Sequence, residues 1–379
     1  MTAYVIGVGK TRFGPTSKTM PQLAQEAILD ALSDADLAPE GVDAIVVANF
    51  LGGPNERQLH LNSVIAGIFP GLNLPSWRTE AACASGGVAV HQAVLALSRY
   101  QTVLVVGVER MSSVVGLELT RNIGMAGDVI FDQLEGLNFP ANYALLARTH
   151  AARYGTTLRD LELVSLKNHA NANLNPKAHF YLKKVRQADI DAGPPVASPL
   201  RLYDCCPVSD GAAAAVVSSR DRGARSVRIM GSAVSSDVIS LAHRASLTGF
   251  AAARDAAKRA YEEAGVQPSD VDVAEVHDCF TIAEVVAMED LGFAAPGEAT
   301  VLIREGETNI GGRIPVNPGG GLKAGGHAIG ATGVSQVCEL VKQLRGEAGD
   351  YQVADARVGL AHNVGGVGGT CAVHLLGGR

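Results

Sequence analysis

The chain has 379 residues, of which 47% are hydrophobic and 18% are charged, and it carries a formal net charge of −6 at neutral pH. This length and composition allow one large core or two fused ones and exclude a disordered protein. The acidic balance and the lack of a dense Lys/Arg block exclude a nucleic-acid-binding protein that relies on phosphate neutralisation.

The cysteines and the N-terminal residues indicate a cellular compartment. The six cysteines show neither C-x-x-C spacing nor the density of a disulfide scaffold, so we expect a reducing compartment. Residues 1–9 run directly into an apolar strand pattern and lack the long apolar core of a signal peptide. No stretch approaches the roughly 18 apolar residues of a membrane span. We therefore expect a soluble, cytoplasmic protein.

A helix-turn-strand pattern occurs twice. The first copy is a predicted helix over residues 21–36 and a buried strand over 42–50, and the second is a helix over 255–264 and a strand over 273–276. At a constant offset of 229, five of thirteen positions are identical, and a short strand-like run precedes each copy. We predict a duplicated α/β unit, with chance agreement as the alternative.

Residues 113–203 have a different texture, with less regular patterning, a helical segment at 143–153 and a polar run near residue 170. We interpret this stretch as an insertion in the first half. Large insertions on rigid scaffolds often bind substrate, so we expect it to contribute to a binding site.

Cys83 lies in residues 80–86 (EAACASG), and a mostly apolar helix is predicted to follow it to about residue 98. Unpaired backbone N–H groups and the positive end of the helix dipole lower the pKa of a thiol at such a turn. Cys83 is therefore a candidate nucleophile. An inert buried cysteine is the alternative.

His277 and Cys279 follow the strand of the second copy, in residues 275–281 (EVHDCFT). In an extended segment, side chains two positions apart point to the same face, so these two titratable groups would meet at one reaction centre. A histidine that makes only structural hydrogen bonds is the alternative.

Residues 317–333 place many glycines around His327, ahead of a helix predicted over about 334–344. Bare backbone amides suit a loop against which an acyl group lies. His327 could there act as a base toward a thiol or as a donor to a thioester oxygen. A phosphate-binding loop is the alternative, although no G-x-x-x-x-G-K-[ST] run is present.

Residues 360–370 (LAHNVGGVGGT) lie between two apolar strand-like runs. A glycine-rich hairpin here could present a backbone N–H beside Cys83 as half of an oxyanion hole, and a plain hairpin is the alternative. Cys205 and Cys206 are interpreted as structural, because adjacent cysteines do not easily pair with each other. His91 and His150 fall within helical patterns and are interpreted as packing or surface residues. No His/Cys cluster has the spacing of metal ligands, so no metal is predicted.

With these segments in this order, the chain resembles the thiolase superfamily over essentially its full length, specifically sterol-carrier-protein-type thiolases and their bacterial and archaeal acetyl-CoA acetyltransferase relatives. The resemblance is carried by residues 80–86, 277–280 (HDCF), 326–333 (GHAIGATG) and 362–366 (HNVGG). It implies an α/β fold of two duplicated βαβαβαββ halves, stacked as a five-layer α-β-α-β-α sandwich with an inserted loop domain. The expected boundaries are 1–225 for the first half, with the insertion at about 113–203, and 226–379 for the second.

The resemblance also implies a CoA-dependent acyltransferase that forms or cleaves a 3-ketoacyl-CoA. Cys83 would attack the acyl thioester after His327 accepts its proton, and Cys279 would move the α-proton of the acyl donor. His327, a water positioned by His277, and the backbone N–H groups of Cys83 and Gly365 would hold the oxyanions.

Two features depart from the better-known thiolases. Their C-terminal acid/base cysteine loop is replaced here by His362 and Asn363, which are candidates with less defined roles, and the acid/base role falls to Cys279. Ala328 stands where relatives often have proline, which could change the rigidity of the loop. The alternatives are acyl transfer to another carbon acceptor, a retro-aldolase acting on lipid or steroid side chains, and a non-catalytic lipid-handling protein. The aldolase branch lacks the nucleophilic cysteine.

CoA thioesters are expected as substrates, with no tightly bound cofactor. Five cations of the insertion are candidate contacts for the adenine and phosphates of CoA, with solvated surface cations as the alternative: Lys167, Lys177, Lys183, Lys184 and Arg186. The resemblance further implies a homodimer and, in some relatives, a small partner protein with an OB-fold and a zinc ribbon.

Overall fold

The computed structural model describes residues 2–377, and over this range the chain is a mixed α/β protein. Its strands are β1 (Ala3–Lys10), β2 (Ala44–Ala48), β3 (Ser76–Thr79), β4 (Thr102–Glu109), β5 (Pro195–Ala197), β6 (Leu200–Arg201), β7 (Gly211–Ser218), β8 (Val227–Ser236), β9 (Val273–Glu275), β10 (Val358–Gly365) and β11 (Thr370–Gly377). Its helices are α1 (Met20–Asp34), α2 (Gly52–Glu56), α3 (Leu61–Ala66), α4 (Ser85–Ala96), α5 (Gly116–Gly124), α6 (Phe139–Tyr154), α7 (Leu158–Ala172), α8 (Gln187–Asp191), α9 (Ala251–Ala264), α10 (Thr281–Asp290), α11 (Ala299–Arg304), α12 (Gly321–Gly325) and α13 (Thr332–Arg345).

Nine strands form one hydrogen-bonded sheet in the order β3-β2-β4-β7-β1-β8-β11-β10-β9. The pairing pattern is repeated on the two sides of β1 and β8. In the first half, β2 pairs with β4 in parallel and β4 with β7 antiparallel; in the second, β9 pairs with β10 in parallel and β10 with β11 antiparallel. The halves meet where residues 3–5 of β1 pair with residues 227–229 of β8. This repetition agrees with the predicted duplication.

The layers follow from the alternation of side chains along the strands. In β2, Ile45 and Val47 pack with α1, whereas Val46 and Ala48 face the opposite side, where α4 lies. Both α4 and α13 contact strands of both halves, while α1 packs on β1, β4 and β7, and α9 packs on β8 and β11. The order is therefore helix, strands, two central helices, strands, helix, as predicted, and the α/β fold class is confirmed.

The two central helices approach each other backbone to backbone at glycines. A Cβ atom added to Gly333 would lie 2.1 Å from the Gly87 nitrogen, and one added to Gly86 would lie 2.7 Å from the Gly333 nitrogen. No residue with a side chain allows this approach. It brings the N-termini of α4 and α13 together, and with them the loops that carry Cys83 and His327.

The repeat extends to its short 3₁₀ turns, Pro39–Gly41 and Pro268–Asp270, which are related by the predicted offset of 229. Residues 113–203 form α5 to α8, a π-helical turn Val129–Gln133 and the small β5–β6 hairpin. The predicted domain boundaries stay predictions. Within residues 2–377, none of the helices is both long and apolar enough to span a bilayer.

Candidate active site

Cys83 sits in a strained turn directly before the first central helix. Ala82 adopts a left-handed backbone conformation (φ 50°), and α4 begins two residues after the cysteine at Ser85. The Ser85 hydroxyl donates to the Ala82 carbonyl at 2.6 Å and accepts from the Ala81 N–H at 2.9 Å, which holds the turn. The Cys83 side chain lines a cavity of about 400 Å³, a size that suits a small ligand.

Burial raises the pKa of the Cys83 thiol to about 12, which differs from the lowered value expected at a helix N-terminus. The backbone N–H of Gly366 faces the sulfur and acts in the opposite direction, but the loss of hydration outweighs it. The thiol is therefore protonated at rest and needs a base. The amide near the sulfur belongs to Gly366. Its neighbour Gly365 packs its Cα against the Ala81 carbonyl, where a Cβ would lie at 2.3 Å. The oxyanion-hole role of the Gly365 N–H stays a prediction.

The hydrogen bonds of His327 fix its tautomer. Its Nδ1 lies 2.7 Å from the Thr332 hydroxyl, and that hydroxyl donates its own proton to the Ala328 carbonyl at 3.0 Å. Thr332 can therefore only accept from the ring, so the proton of His327 is on Nδ1. The free Nε2 carries a lone pair, and the residue lines the same cavity as Cys83. Burial lowers the pKa of His327 to about 3, so the ring is neutral at physiological pH.

His277 has the opposite tautomer. The amide nitrogen of Asn363 faces His277 Nδ1 at 3.2 Å, while the amide oxygen of Asn363 accepts the Gly87 N–H at 3.0 Å. An amide NH₂ can only donate, so Nδ1 accepts and the proton of His277 is on Nε2, which has no partner among the described residues. Burial, then His327 and His362, hold the pKa of His277 well below its ordinary value.

Asn363 and His362 position these groups. The Asn363 amide also donates to the Cys83 carbonyl at 2.9 Å, so one side chain connects the nucleophile loop, α4 and His277. His362 Nδ1 accepts the backbone N–H of His277 at 3.4 Å. Both residues lie on β10, which is paired with β9 immediately before His277.

The sulfur of Cys83 and ring nitrogens of His277 and His327 all lie within 4.8 Å of one another, with the two imidazoles edge to face at 5.2 Å. These three atoms have the donor types of a transition-metal site. The sequence contains no such cluster at ligand spacing, because the three residues are brought together only by the fold. The same arrangement pairs a thiol with a neutral acceptor and a neutral donor, which is the requirement for nucleophilic acyl transfer.

Cys279 lines the same cavity as Cys83 and His327, whereas His277, two residues before it, is not among the residues that line this cavity. Burial, followed by neighbouring Cys206 and Cys83, raises the pKa of the Cys279 thiol well above its ordinary value. Cys205 and Cys206 also line the cavity, which corrects their interpretation as purely structural residues. The Cys206 N–H donates to the Cys279 carbonyl at 2.9 Å, so this segment runs beside the Cys279 segment.

Two buried carboxylates support the loops, and the sequence reasoning missed both. Glu109 ends β4 and accepts four hydrogen bonds from two loops, including the N–H groups of Leu51 and Gly330; burial raises its pKa to about 7. Asp278 accepts the N–H groups of Leu322 and Lys323, which anchors α12 just before His327. Glu109 could have been identified from the sequence, because it is a charged residue at the end of a predominantly apolar strand.

Much of the cavity wall comes from residues 113–203, including Ile123, Phe139, Val196 and Leu202. Lys167 is not available to a ligand, which corrects one predicted CoA contact. It is buried, pairs with Glu284 at 2.6 Å and donates to the Val316 carbonyl at 2.8 Å.

The other predicted cations lie on or near the surface. Lys183, Lys184 and Arg186 are exposed, and Lys177 is half-buried near Asp30 at 3.8 Å. His150 is a packing residue as predicted, since it is buried between Thr156 and Glu289.

Comparisons with known proteins agree with this geometry. The family description "Thiolase, N-terminal domain" matches residues 3–221, and "Thiolase C-terminal domain-like" matches residues 233–378. The chain is 43% identical to an acetyl-CoA acetyltransferase of Methanothermobacter thermautotrophicus over 98% of both chains. It is 33% identical to human sterol carrier protein 2, over 98% of this chain and 71% of that protein.

Among solved structures, the Ltp2-ChsH2(DUF35) aldolase superposes with a TM-score of 0.86 at 28% identity, over 100% of this chain and 98% of that one. The two family matches cover both halves, and two relatives that are more than 30% identical each match 98% of this chain. The chain belongs to the thiolase family.

Proposed function

We propose that this thiolase is a CoA-dependent acyltransferase that forms or cleaves a 3-ketoacyl-CoA through an acyl group carried on Cys83. The observation that carries the proposal is the pairing of a protonated, buried thiol with the unprotonated Nε2 of His327 at the wall of one cavity. His327 takes the thiol proton as the sulfur attacks the acyl carbonyl, and CoA leaves as its thiol.

In the second half-reaction, Cys279 acts as acid or base at the α-carbon. In the synthetic direction Cys279 first loses its proton to solvent, and the thiolate then removes the α-proton of the donor thioester. The carbanion attacks the acyl carbon on Cys83, the bond between that carbon and the Cys83 sulfur breaks, and Cys83 leaves as a thiolate that takes up a proton again from solvent. In the degradative direction these steps reverse, and Cys279 returns the proton to carbon. The support is that both thiols line one cavity, which allows one acyl chain to reach both.

The developing oxyanions need donors that are already aimed when the charge forms. The backbone N–H groups of Cys83 and Gly365 supply one set. His327, once it carries the thiol proton on Nε2, supplies a second donor together with the Nε2 proton of His277 or a water held by it. Asn363 keeps His277 in this tautomer.

The substrate class follows from the cavity and its rim. Apolar walls from the insertion suit an acyl chain, and the exposed Lys183, Lys184 and Arg186 suit the phosphates of CoA. CoA thioesters are then substrates, and no tightly bound cofactor is required. We extend the proposal to a small partner protein, because the name of the similar aldolase joins Ltp2 with ChsH2(DUF35). A homodimer in the cytoplasm is proposed from the resemblance to thiolases and from the six free thiols.

The similarity to that aldolase favours a second candidate, retro-aldol cleavage. Such cleavage does not need an acyl-enzyme, and the nucleophile turn around Cys83 would then have no function. A covalent acyl-enzyme distinguishes the two candidate functions, because only acyl transfer requires it.

The test is intact-mass spectrometry after incubation with acetyl-CoA and a series of longer acyl-CoAs. We expect the wild-type protein to gain the mass of one acyl group and Cys83→Ala to gain none. Cys338→Ala is the matched control, because Cys338 is a buried thiol that does not line the cavity. A folded wild-type protein that forms no adduct with any acyl-CoA would contradict the proposal and favour the aldolase candidate.

A further inference from the structure

Tyr143 is a buried aromatic residue of α6 that lies against the active site. Its ring stacks on Phe280, the neighbour of Cys279, with centroids 4.6 Å apart and planes inclined by 24°, and it meets Phe250 edge to face. The residue is fully buried, and three elements therefore fix the direction of its hydroxyl. A buried tyrosine hydroxyl needs a partner, and its choice of partner shows what it supports.

The hydroxyl contacts both catalytic segments. It donates to the Gly366 carbonyl at 3.2 Å, and the N–H of the same residue faces the Cys83 sulfur. The Cys279 sulfur is near this hydroxyl, since each of the two groups shifts the pKa of the other. Burial, followed by the nearby Cys279, raises the pKa of Tyr143 well above its ordinary value, so the hydroxyl keeps its proton and remains a donor.

Cys279 needs such a donor. Its thiol is buried, and the neighbouring Cys206 and Cys83 add no positive charge to its surroundings. A thiolate formed there would lose its hydration, and a directed O–H group is what replaces water as its hydrogen-bond donor.

We propose that Tyr143 is a positioning residue for the acid/base step: its hydroxyl turns from the Gly366 carbonyl to the Cys279 sulfur when that sulfur becomes a thiolate. The inference rests on the proposed function, because it assumes that Cys279 moves the α-proton. The proton passes between the α-carbon and the Cys279 sulfur only, and Tyr143 keeps its own proton throughout. The hydrogen bond to the thiolate makes the charged form of Cys279 accessible nearer to neutral pH.

The test compares Tyr143→Phe with the wild type and with Tyr261→Phe. Phenylalanine keeps the ring contacts and removes only the hydroxyl. Tyr261 is a matched control, since its buried hydroxyl donates to the Leu291 carbonyl and the residue does not line the cavity. Two rates are measured for each protein across a range of pH: acetylation of Cys83 by intact mass, and incorporation of solvent deuterium into the acetyl group of acetyl-CoA.

We expect deuterium incorporation by Tyr143→Phe to fall about 10- to 100-fold near neutral pH, since hydrogen bonds to charged groups have effects of this size. Acetylation of Cys83 should stay within a few-fold of the wild type, because the pairing of β10 with β11 also holds the Gly366 loop. The incorporation rate should recover as pH rises, so its pH profile moves upward by about one to two units. Tyr261→Phe should match the wild type in both rates.

Incorporation by Tyr143→Phe within twofold of the wild type at every pH would overturn the inference. Equal losses in both rates, with a lower melting temperature and an unmoved pH profile, would also overturn it, since they indicate packing alone. A wild-type protein whose deuterium incorporation is unaffected by Cys279→Ala would instead contradict the role proposed for Cys279, which distinguishes that failure from the failure of Tyr143.

Discussion

His327 and His277 lie side by side with opposite tautomers because different groups contact their Nδ1 atoms. A hydroxyl that already donates to a carbonyl faces His327, and an amide NH₂ faces His277. One ring therefore offers a lone pair on Nε2 and the other a proton. The chemistry of each histidine is set by its neighbour.

We expect Thr332→Val to slow acetylation of Cys83 by about tenfold or more. Valine has nearly the same shape but cannot accept from Nδ1, so the lone pair of His327 is no longer held toward the cavity. The acetylation rate is measured by intact mass under single-turnover conditions. Thr308→Val is the control: Thr308 is buried, and its hydroxyl has no partner among residues 2–377, so its loss should leave the rate unchanged. Equal rates for the two variants would contradict the role of Thr332.

The sequence identifies candidate reacting residues more readily than it identifies the residues that position them. Cys83, His277, Cys279 and His327 were candidates because each stands in a short motif at a strand end or a helix start. Tyr143 was not, since nothing near it in the chain distinguishes a helical tyrosine that reaches an active site from one that packs. Its partner Gly366 is 223 residues away. The direction of the shift in the Cys83 pKa was also predicted wrongly. The helix dipole can be inferred from neighbouring residues in the sequence, whereas burial depends on distant segments that only the fold brings together.

At the scale of elements, the contact between α4 and α13 decides the geometry of the site. We expect Gly333→Ala to destabilise the protein by about 1–3 kcal/mol and to lower activity, because its Cβ would meet the Gly87 nitrogen and the Asn363 amide oxygen. The Gly87 nitrogen belongs to the backbone, and the Asn363 amide is held by hydrogen bonds to Gly87, Cys83 and His277, so neither atom can easily move away. Urea unfolding measures the stability, and the Cys83 acetylation rate measures the geometry.

Gly124→Ala is the matched control for this substitution. Gly124 is at the end of α5, and a Cβ there would meet no atom within 4 Å. An alanine in a helix also restricts the unfolded chain, so this variant should be as stable as the wild type or slightly more stable. If both variants unfolded at the same urea concentration, close packing of the central helices would not be a constraint.

The element boundaries were predicted to within a few residues where the hydrophobic period is regular. The helix expected over residues 21–36 spans Met20–Asp34, and that expected over 255–264 begins earlier, at Ala251. The strand expected over 42–50 is Ala44–Ala48, since the residues on either side leave the sheet. The contact between α4 and α13 was not predicted. Glycines in a sequence indicate that the backbone closely approaches another group, but they do not identify that group.

At the scale of the whole molecule, the duplication could be predicted from the sequence because both copies join a helix to a strand through the same short turn. The offset found at five identical positions also relates the two 3₁₀ turns. The family prediction is confirmed by matches to both halves. The single nine-stranded sheet could not be predicted from the sequence. It depends on the pairing of β1 with β8, which joins the two copies and is not part of either copy alone.

A property of the whole molecule follows from its thiols. All six cysteines have pKa values raised by burial, to about 12 for Cys83, Cys205 and Cys338 and well above the ordinary value for Cys206, Cys279 and Cys371. In the unfolded chain these thiols lose their protons near pH 9, whereas the folded chain keeps them. Above pH 9 the folded state therefore binds more protons, and the free energy of unfolding falls as pH rises.

We expect this loss to approach ~1.4 kcal/mol per pH unit for each thiol, and to be visible between about pH 9 and 10, where most unfolded thiols ionise before most unfolded tyrosines do. Urea unfolding with a reductant present measures the slope. Cys338→Ala should reduce it by about one proton, while the cavity left by the substitution lowers stability equally at every pH and leaves the slope unaffected. A free energy of unfolding that stays constant from pH 9 to 10 would mean that the thiols titrate alike in both states, and that the active-site cysteines are far more hydrated than their burial indicates.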